Sequence, residues 1–483
     1  MGQNLPKPMT EELQVEAQAI LASLPCSIEM PAGTGKTHLI VAMTREAAVN
    51  GERALILTHT NAGVDALRKR LTKHHVDPKS YHVDTITGWA IDLVRHYPTL
   101  AEMVVPSIID PNDSDSFVVG ATKVAQVAAL TRMHRNSFRY LFVDEYQDCV
   151  IEHHGLVATL ADAIPQCAIL GDPLQGIFDF GGQLVDWPTH VHPRFPAFAR
   201  AHEPWRWNEH NADLGRWLIA IRPLMIAGGV LDLSKLQIPG LEWRQAGAQI
   251  EIQAAYAAAK RGGSVAILHA QRNQHKTVGL RTKGMYSIME SLHGSYMHDR
   301  LEKLARLEPV GYARWFADTA KECFSGFGDL NTAVLGRLDK NKSLIGLSRP
   351  TIPRTMELLE SVRRQPSITT LSKAMYLLVN DGEGFCFAHE AWYDMAKSLA
   401  HAAVDNVSAR DHLAVIRSRL RYSGRRPRER ILSKTLLVKG LEYDHAIIAN
   451  ADGIGNHKHL YVAMTRPRKT LTILSASPII RLT

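Results

Sequence analysis

Pro31-Ala32-Gly33-Thr34-Gly35-Lys36-Thr37 follows an apolar run ending at Met30, and Asp144-Glu145-Tyr146-Gln147-Asp148 follows the run Tyr140-Leu141-Phe142-Val143. The first string can leave a buried strand through a glycine-rich turn and feed a helix whose N-terminal N–H groups cradle phosphate. Gly33, Thr34 and Gly35 would shape that cradle, Lys36 would reach the β and γ phosphates, and Thr37 would offer its hydroxyl to Mg²⁺. Asp144, at a strand end, is placed to hold the same ion, with Glu145 as the base. Together the two strings imply a nucleoside triphosphate site. Met30 stands where G-x-x-x-x-G-K-S/T has its first glycine, so the context carries the weight: a strand before, a helix to about Val49, and Gly51 as its stop. A lone carboxylate pair is most often a solvated turn. At the end of an apolar strand, in a chain that also carries a phosphate loop, metal binding is the better reading.

The sequence around these strings is nested rather than tandem in organisation. The phosphate-loop strand and Ala54-Leu55-Ile56-Leu57 read as parallel strands, yet the acidic strand arrives only near Tyr140, so a segment is inserted between them. That segment, about Leu71 to Leu130, shows helical patterns and the loop Asp110-Pro111-Asn112-Asp113-Ser114-Asp115. A second sheet is signalled by Val265–Leu268, Thr435–Val438, Ala446–Ile448 and Leu471–Leu474, with a mostly helical insertion from about Gln274 to Arg426. The expected fold class is α/β, with two parallel-sheet domains that each carry a mainly helical insertion. The expected boundaries are 1–70 with 131–215 for the first domain, 71–130 for its insertion, 216–273 with 427–483 for the second domain, and 274–426 for the second insertion.

The 483 residues suffice for roughly three or four compact units. Five cysteines, at 26, 149, 167, 323 and 386, form neither a C-x-x-C pair nor an even framework. They read as reduced thiols, without zinc site or disulfide. The start, Met1-Gly2-Gln3-Asn4-Leu5-Pro6, lacks a signal-peptide pattern, and no apolar run approaches the roughly 20 residues that span a bilayer, so a cytoplasmic protein with no membrane partner is expected. The net charge of +8 points to a polyanionic partner. Between Arg410 and Arg430 lie Arg417, Arg419, Arg421, Arg425, Arg426 and Arg428, which would either neutralise nucleic-acid phosphates or form a solvated basic linker.

The remaining strings fall in an order that resembles the UvrD/Rep/PcrA class of superfamily 1 helicases, whose two RecA-like phosphate-loop domains each carry an insertion. Gln14 matches the family's adenine-reading glutamine. Leu57-Thr58-His59-Thr60-Asn61-Ala62 is similar to T-F-T-N-K-A, and Asp84-Thr85-Ile86-Thr87-Gly88-Trp89 to the T-F-H-G segment. Thr58, Asn61 and Thr85 would then touch single-stranded DNA. Gly171-Asp172-Pro173-Leu174-Gln175-Gly176-Ile177-Phe178-Asp179-Phe180 resembles G-D-x-x-Q-S-I-Y-x-W, which implies Gln175 at the γ-phosphate and Phe178 and Phe180 at the bases. Trp205-Arg206 matches Y-R. Val438-Lys439-Gly440-Leu441-Glu442-Tyr443 matches A-K-G-L-E-F, giving Glu442 a nucleotide-binding role, and Leu460-Tyr461-Val462-Ala463-Met464-Thr465-Arg466 matches L-Y-V-A-x-T-R-A.

The resemblance implies ATP with Mg²⁺, Arg206 and Arg466 as arginines that stabilise transferring phosphate, and a 3′–5′ DNA helicase or translocase acting on single strands and duplex junctions. Stacking a base on Phe178 or Phe180 would contribute about 1–3 kcal/mol without sequence preference. The chain also resembles the helicase-like subunit of Gabija anti-phage systems, which implies an OLD-type nuclease partner and a role in antiviral defence, DNA repair being the other expectation. The competing reading is a DNA-sensing regulatory ATPase that controls a nuclease without unwinding. A small-molecule phosphate-loop kinase leaves Arg466 and the Gly171–Phe180 string unexplained.

Overall fold

The computed structural model describes residues 10–106, 113–178, 182–291, 294–347, 351–380, 383–405, 407–423, 428–454 and 456–482. Phe180, Arg425, Arg426 and the loop positions Asp110, Pro111 and Asn112 lie outside them. The fold is mixed α/β, built in two compact units: Met1–Gly229 with His457–Thr465, and Val230–Asn456 with Arg466–Thr483.

The first unit opens with helix α1 (Glu11–Ala22), strand β1 (Cys26–Glu29) and helix α2 (Lys36–Val49). Next come β2 (Ala54–Thr58), α3 (Asn61–Lys73), β3 (Tyr81–Thr85) and α4 (Ile86–His96), then β4 (Tyr140–Val143) and β5 (Gln166–Gly171). The five strands form one parallel sheet in the order β1-β5-β4-β2-β3. Every residue of β2 is buried, and β1, β4 and β5 have at most one half-buried end residue, as befits apolar runs covered on both faces. Helix α2 begins at Lys36 because Gly35 takes a left-handed backbone at its N-cap, and it ends where Gly51 does the same. Threonine hydroxyls cap α3 and α4: Thr60 accepts from the Gly63 amide at 3.0 Å and Thr85 from the Gly88 amide at 2.8 Å.

Strand β3 lies inside the segment 71–130 that the sequence reads as helical insertion. Its partly exposed, alternating residues (Tyr81, His82, Asp84) hide a strand at the sheet's outer edge. The helices that follow, α4, Ser114–Gln126 and Ala128–Ser137, pack on the sheet. Phe117, Ala121 and Val124 share one apolar cluster with Leu55, Leu57, Leu141 and Val143 of the sheet.

The second unit contains β6 (Val230–Asp232), β7 (Leu241–Gln245), β8 (Val265–Leu268), β9 (Ser287–Ile288), β10 (Phe324–Ser325), β11 (Phe385–Cys386), β12 (Arg430–Ser433), β13 (Tyr443–Ile448), β14 (Pro467–Ser475) and β15 (Ile479–Arg481). Six of them make a parallel sheet in the order β7-β14-β13-β8-β12-β9. The expected strand Thr435–Val438 is instead a 3-10 turn, and β12 precedes it. Thr435 and Val438 are buried while Leu436 and Leu437 are half-exposed, a spacing of three that a short apolar run does not distinguish from a strand. Strand β9 joins the sheet from within the expected insertion 274–426. The rest of that segment is largely helical and packs around Trp315, Phe316 and Trp392, continuous with Val265 and Ile267 of the sheet.

The basic run is not a uniform stripe. Arg417 is only 2 % exposed, and its guanidinium donates to Asp394 at 2.8 Å, to Glu390 at 3.3 Å and to the Ser291 carbonyl at 2.5 Å. It is a core ion pair rather than a phosphate contact.

Candidate nucleotide site

Three adjacent parallel strands end together in the first unit. β5 pairs with β1 so that Glu29 faces Gly171, and with β4 so that Val143 faces Ile169. The loops after these strands carry Lys36, Asp144 and Glu145, and Asp172 with Gln175. Ligands of open parallel sheets bind beyond such carboxyl ends.

The phosphate loop owes its shape to two glycines, with φ of +72° at Gly33 and +90° at Gly35, conformations that cost L residues about 1–2 kcal/mol. Thr34 is buried, and its hydroxyl donates inward to the Pro31 carbonyl at 2.8 Å. Lys36 and Thr37 occupy the first turn of α2, where backbone N–H groups have no intrahelical acceptor. The Lys36 ammonium is buried and lies 3.4 Å from the Glu145 carboxylate. Burial alone would lower its pKa, but Glu145, Asp144 and Asp172 together hold it above the ordinary lysine value. Asp144 is 5 % exposed; burial and then the neighbouring Glu145 charge push its carboxyl well above the usual range.

Glu145 sits at φ +55°, a left-handed backbone that non-glycine residues adopt at a cost of about 1–3 kcal/mol. Gln147 supports it. The Gln147 side-chain amide donates to the Glu145 carboxylate, while its oxygen accepts the Asp172 amide at 2.9 Å. Asp172 is fully buried, and its carboxylate accepts from the amide of Ala32 in the phosphate loop (3.1 Å), the Leu174 amide (3.2 Å), the Gln175 side chain (2.9 Å) and Arg222 (2.7 Å). Arg222 also donates to the Tyr461 hydroxyl at 2.9 Å.

The structure therefore brings Gly33, Thr34, Gly35, Lys36, Thr37, Asp144, Glu145 and Gln175 to neighbouring strand ends. Arg206 joins them: its amide donates to the Gly33 carbonyl at 3.1 Å, and its guanidinium to the Thr465 carbonyl at 2.7 Å. Gln14 is half-buried in the first turn of α1. Thr58 is buried at the end of β2, its hydroxyl without a hydrogen-bond partner, and Asn61 is half-buried at the start of α3. Thr85 is buried as the cap of α4, and Phe178 is 37 % exposed after the Pro173–Gln175 turn. Glu442 and Arg466 belong to the second unit. Glu442 is exposed, whereas Arg466 is buried and donates to the Leu441 carbonyl at 3.1 Å and the Val438 carbonyl at 3.5 Å.

Gln147, Asp172 and Tyr461 lie within the motif strings but carried no assigned role. Arg222 lies in none of them. Its only signal is a cation set in the apolar stretch Ile219–Ile226.

The donors fit a nucleotide with Mg²⁺. The loop bends through positive-φ glycines into the start of α2, the buried Lys36 ammonium lies beside carboxylates, and the buried Asp144 carboxyl offers hard oxygen atoms.

Residues 14–181 match the family model described as AAA domain, a span that covers the phosphate loop, Asp144–Glu145 and Gln175. No curated protein matches the chain. Among solved structures, the Escherichia coli DEAH/RHA helicase HrpB aligns at 11 % identity and a TM-score of 0.31, over 56 % of this chain. The alignment spans 29 % of that chain, well under half of its length. The region 14–181 is thus similar to AAA domains, and it holds every strand end that carries the candidate site apart from the Arg206 and Arg222 supports.

Proposed function

We propose that the chain is an ATP-hydrolysing translocase on single-stranded DNA, moving 3′ to 5′ and opening duplex junctions. The observation that carries the hydrolytic part is the convergence of Lys36, Asp144, Glu145 and Gln175 on three neighbouring strand ends, tied together by Gln147 and Asp172. The AAA-domain match over the same residues supports it. The DNA part rests on the motif resemblance, with Thr58, Asn61, Thr85, Phe178 and Phe180 as the proposed contacts. The domain limits expected from the sequence, and a role in phage defence beside an OLD-type nuclease or in DNA repair, belong to the same proposal.

In this reading the loop amides and Lys36 bind the β and γ phosphates. Thr37 and Asp144 would hold Mg²⁺, which supplies positive charge to the phosphate oxygens. Glu145, oriented by Gln147, takes a proton from the attacking water, and Gln175 orients that water against the terminal phosphate. Arg206, anchored on Gly33, supplies charge beside the loop; Arg466 is the second proposed arginine.

The test is a strand-displacement assay on duplexes with 3′ or 5′ single-stranded tails, with ATP turnover read in parallel. DNA-stimulated turnover with displacement from the 3′-tailed substrate is expected. Stimulated turnover with no displacement on either tail, with a nuclease partner added, replaces the motor by a DNA-sensing regulatory ATPase.

A further inference from the structure

The strongest unassigned feature of the first unit is a buried ionic network behind the candidate site. Asp172 has no exposed surface, Arg222 is 6 % exposed and Tyr461 1 %. A carboxylate so buried is costly unless paired and fully hydrogen-bonded. Arg222 provides the pairing at 2.7 Å, and its guanidinium carbon lies 5.4 Å over the Tyr461 ring while Nη1 reaches the phenol oxygen. Burial disfavours the charged guanidinium, yet Asp172 and Tyr461 outweigh it and hold Arg222 above the ordinary arginine value. Burial and the Asp172 charge push the Tyr461 phenol up, so it stays neutral.

The other donors to Asp172 give the network its meaning. One is the amide of Ala32 in the phosphate loop; another is the Gln175 side chain, whose amide nitrogen is held at 2.9 Å. Orientation of Gln175, on Oδ2, therefore depends on where the Asp172 carboxylate sits, and Arg222 holds that carboxylate by its other oxygen, Oδ1.

We propose that Arg222 is a positioning residue for ATP hydrolysis: held by Tyr461, it locks Asp172, and Asp172 sets the rotamer with which Gln175 meets the terminal phosphate. The proposal rests on the hydrolytic reading above and assigns regulation of that site to a residue outside its motifs. Arg222 acts on turnover rather than on nucleotide capture, because the groups that grip the β and γ phosphates in this reading are the loop amides and Lys36.

The experiment uses the full chain with four variants, Arg222→Met, Arg222→Lys, Gln175→Ala and the double Arg222→Met/Gln175→Ala. Steady-state ATP turnover, the affinity for fluorescent ADP and the melting temperature are measured for each. Arg222→Met is expected to lower kcat about tenfold with ADP affinity kept within about twofold, Arg222→Lys to recover most of the loss, and the double variant to be no slower than Gln175→Ala. If Arg222→Met does not fold, Tyr461→Phe, which removes one hydroxyl, carries the same signature at about threefold. Multiplying losses in the double variant, or ADP affinity falling as far as kcat, overturns the proposal and leaves hydrolysis standing. Wild-type chain that neither binds ADP nor turns over ATP overturns the hydrolytic reading and the proposal together.

Discussion

Gly33 and Arg206 meet backbone to backbone: the Arg206 amide donates to the Gly33 carbonyl at 3.1 Å, and a Cβ on Gly33 would lie 2.7 Å from the Cβ of Arg206. The same Cβ would lie 2.7 Å from the Trp207 ring. Gly33→Ala thus adds a clash to backbone strain, and the phosphate loop must move. A loss of at least about tenfold in nucleotide affinity is expected from a displaced cradle. Gly51→Ala is the control, since Gly51 has φ +73° but no atom within 4 Å of the added Cβ. It should lower the melting temperature by about 2–4 °C per kcal/mol of strain and leave nucleotide affinity unchanged. Equal loss of affinity in both variants would reduce the Gly33 contact to mere strain.

Lys36 and Glu145 pair with each other, and the proposed function gives them different roles. Lys36→Ala should abolish measurable nucleotide binding. Glu145→Gln keeps the hydrogen bond to Gln147 sterically possible and should retain ATP and Mg²⁺ while turnover falls about 10² or more. Titration with fluorescent nucleotide, alongside phosphate release, separates the two; near-normal release in Glu145→Gln removes the residue from the base role.

Glu360 predicts an acid dependence of stability. Arg363, then the Leu344 amide, Ser343 and Arg364, outweigh burial and hold its carboxyl down at about 2, from an ordinary value of 4.5. A depressed folded-state pKa contributes stability above 4.5 that is lost as pH falls through about 2. The melting temperature of Glu360→Gln should therefore lie below wild type at pH 7, with the gap closing as the pH approaches 2. A gap that is constant with pH would show that the charge of Glu360 contributes nothing.

Arg417 and Arg428 should respond oppositely. Removing the buried Arg417 takes away the guanidinium that pairs with Asp394, so Arg417→Met is expected to cost about 3 kcal/mol of stability in urea unfolding. At temperatures where it stays folded, the salt dependence of single-stranded DNA binding should match wild type. Arg428→Ala should leave stability intact and reduce the slope of log affinity against log salt by about 0.7. An unchanged slope would make Arg428 part of a solvated linker.

Much of the first unit was legible because its apolar runs are continuous and end in punctuation. Tyr140–Val143, Ala54–Leu57 and the α2 helix to Val49 appear where the sequence puts them, and the phosphate loop and acidic pair meet at neighbouring strand ends. Strand β3 was illegible since Tyr81, His82 and Asp84 give an edge strand no apolar run, and β9, with only Ser287 and Ile288, is too short to carry a period. Thr435–Val438 misled because apolar residues spaced by three fit a turn as well as a strand. At the site, the strings located side chains that gather at neighbouring strand ends. They did not reveal Arg222, since its role depends on long-range proximity to Asp172, fifty positions earlier by number, and no local pattern encodes such a pairing.

The segment His457–Thr465 completes the first unit yet is flanked by strands β13 and β14 of the second. During synthesis, at about 5–20 residues per second, it leaves the ribosome well after Gly229. Until then Arg222 has no phenol beside it, the Arg206 guanidinium has no Thr465 carbonyl, and the Pro173–Gln175 turn lacks the helix His457–Met464 that packs on it. The candidate site is thus finished last, by residues 457–465. A product cut anywhere between Gly229 and Tyr461 carries every residue of the phosphate loop and still lacks the piece that seats them.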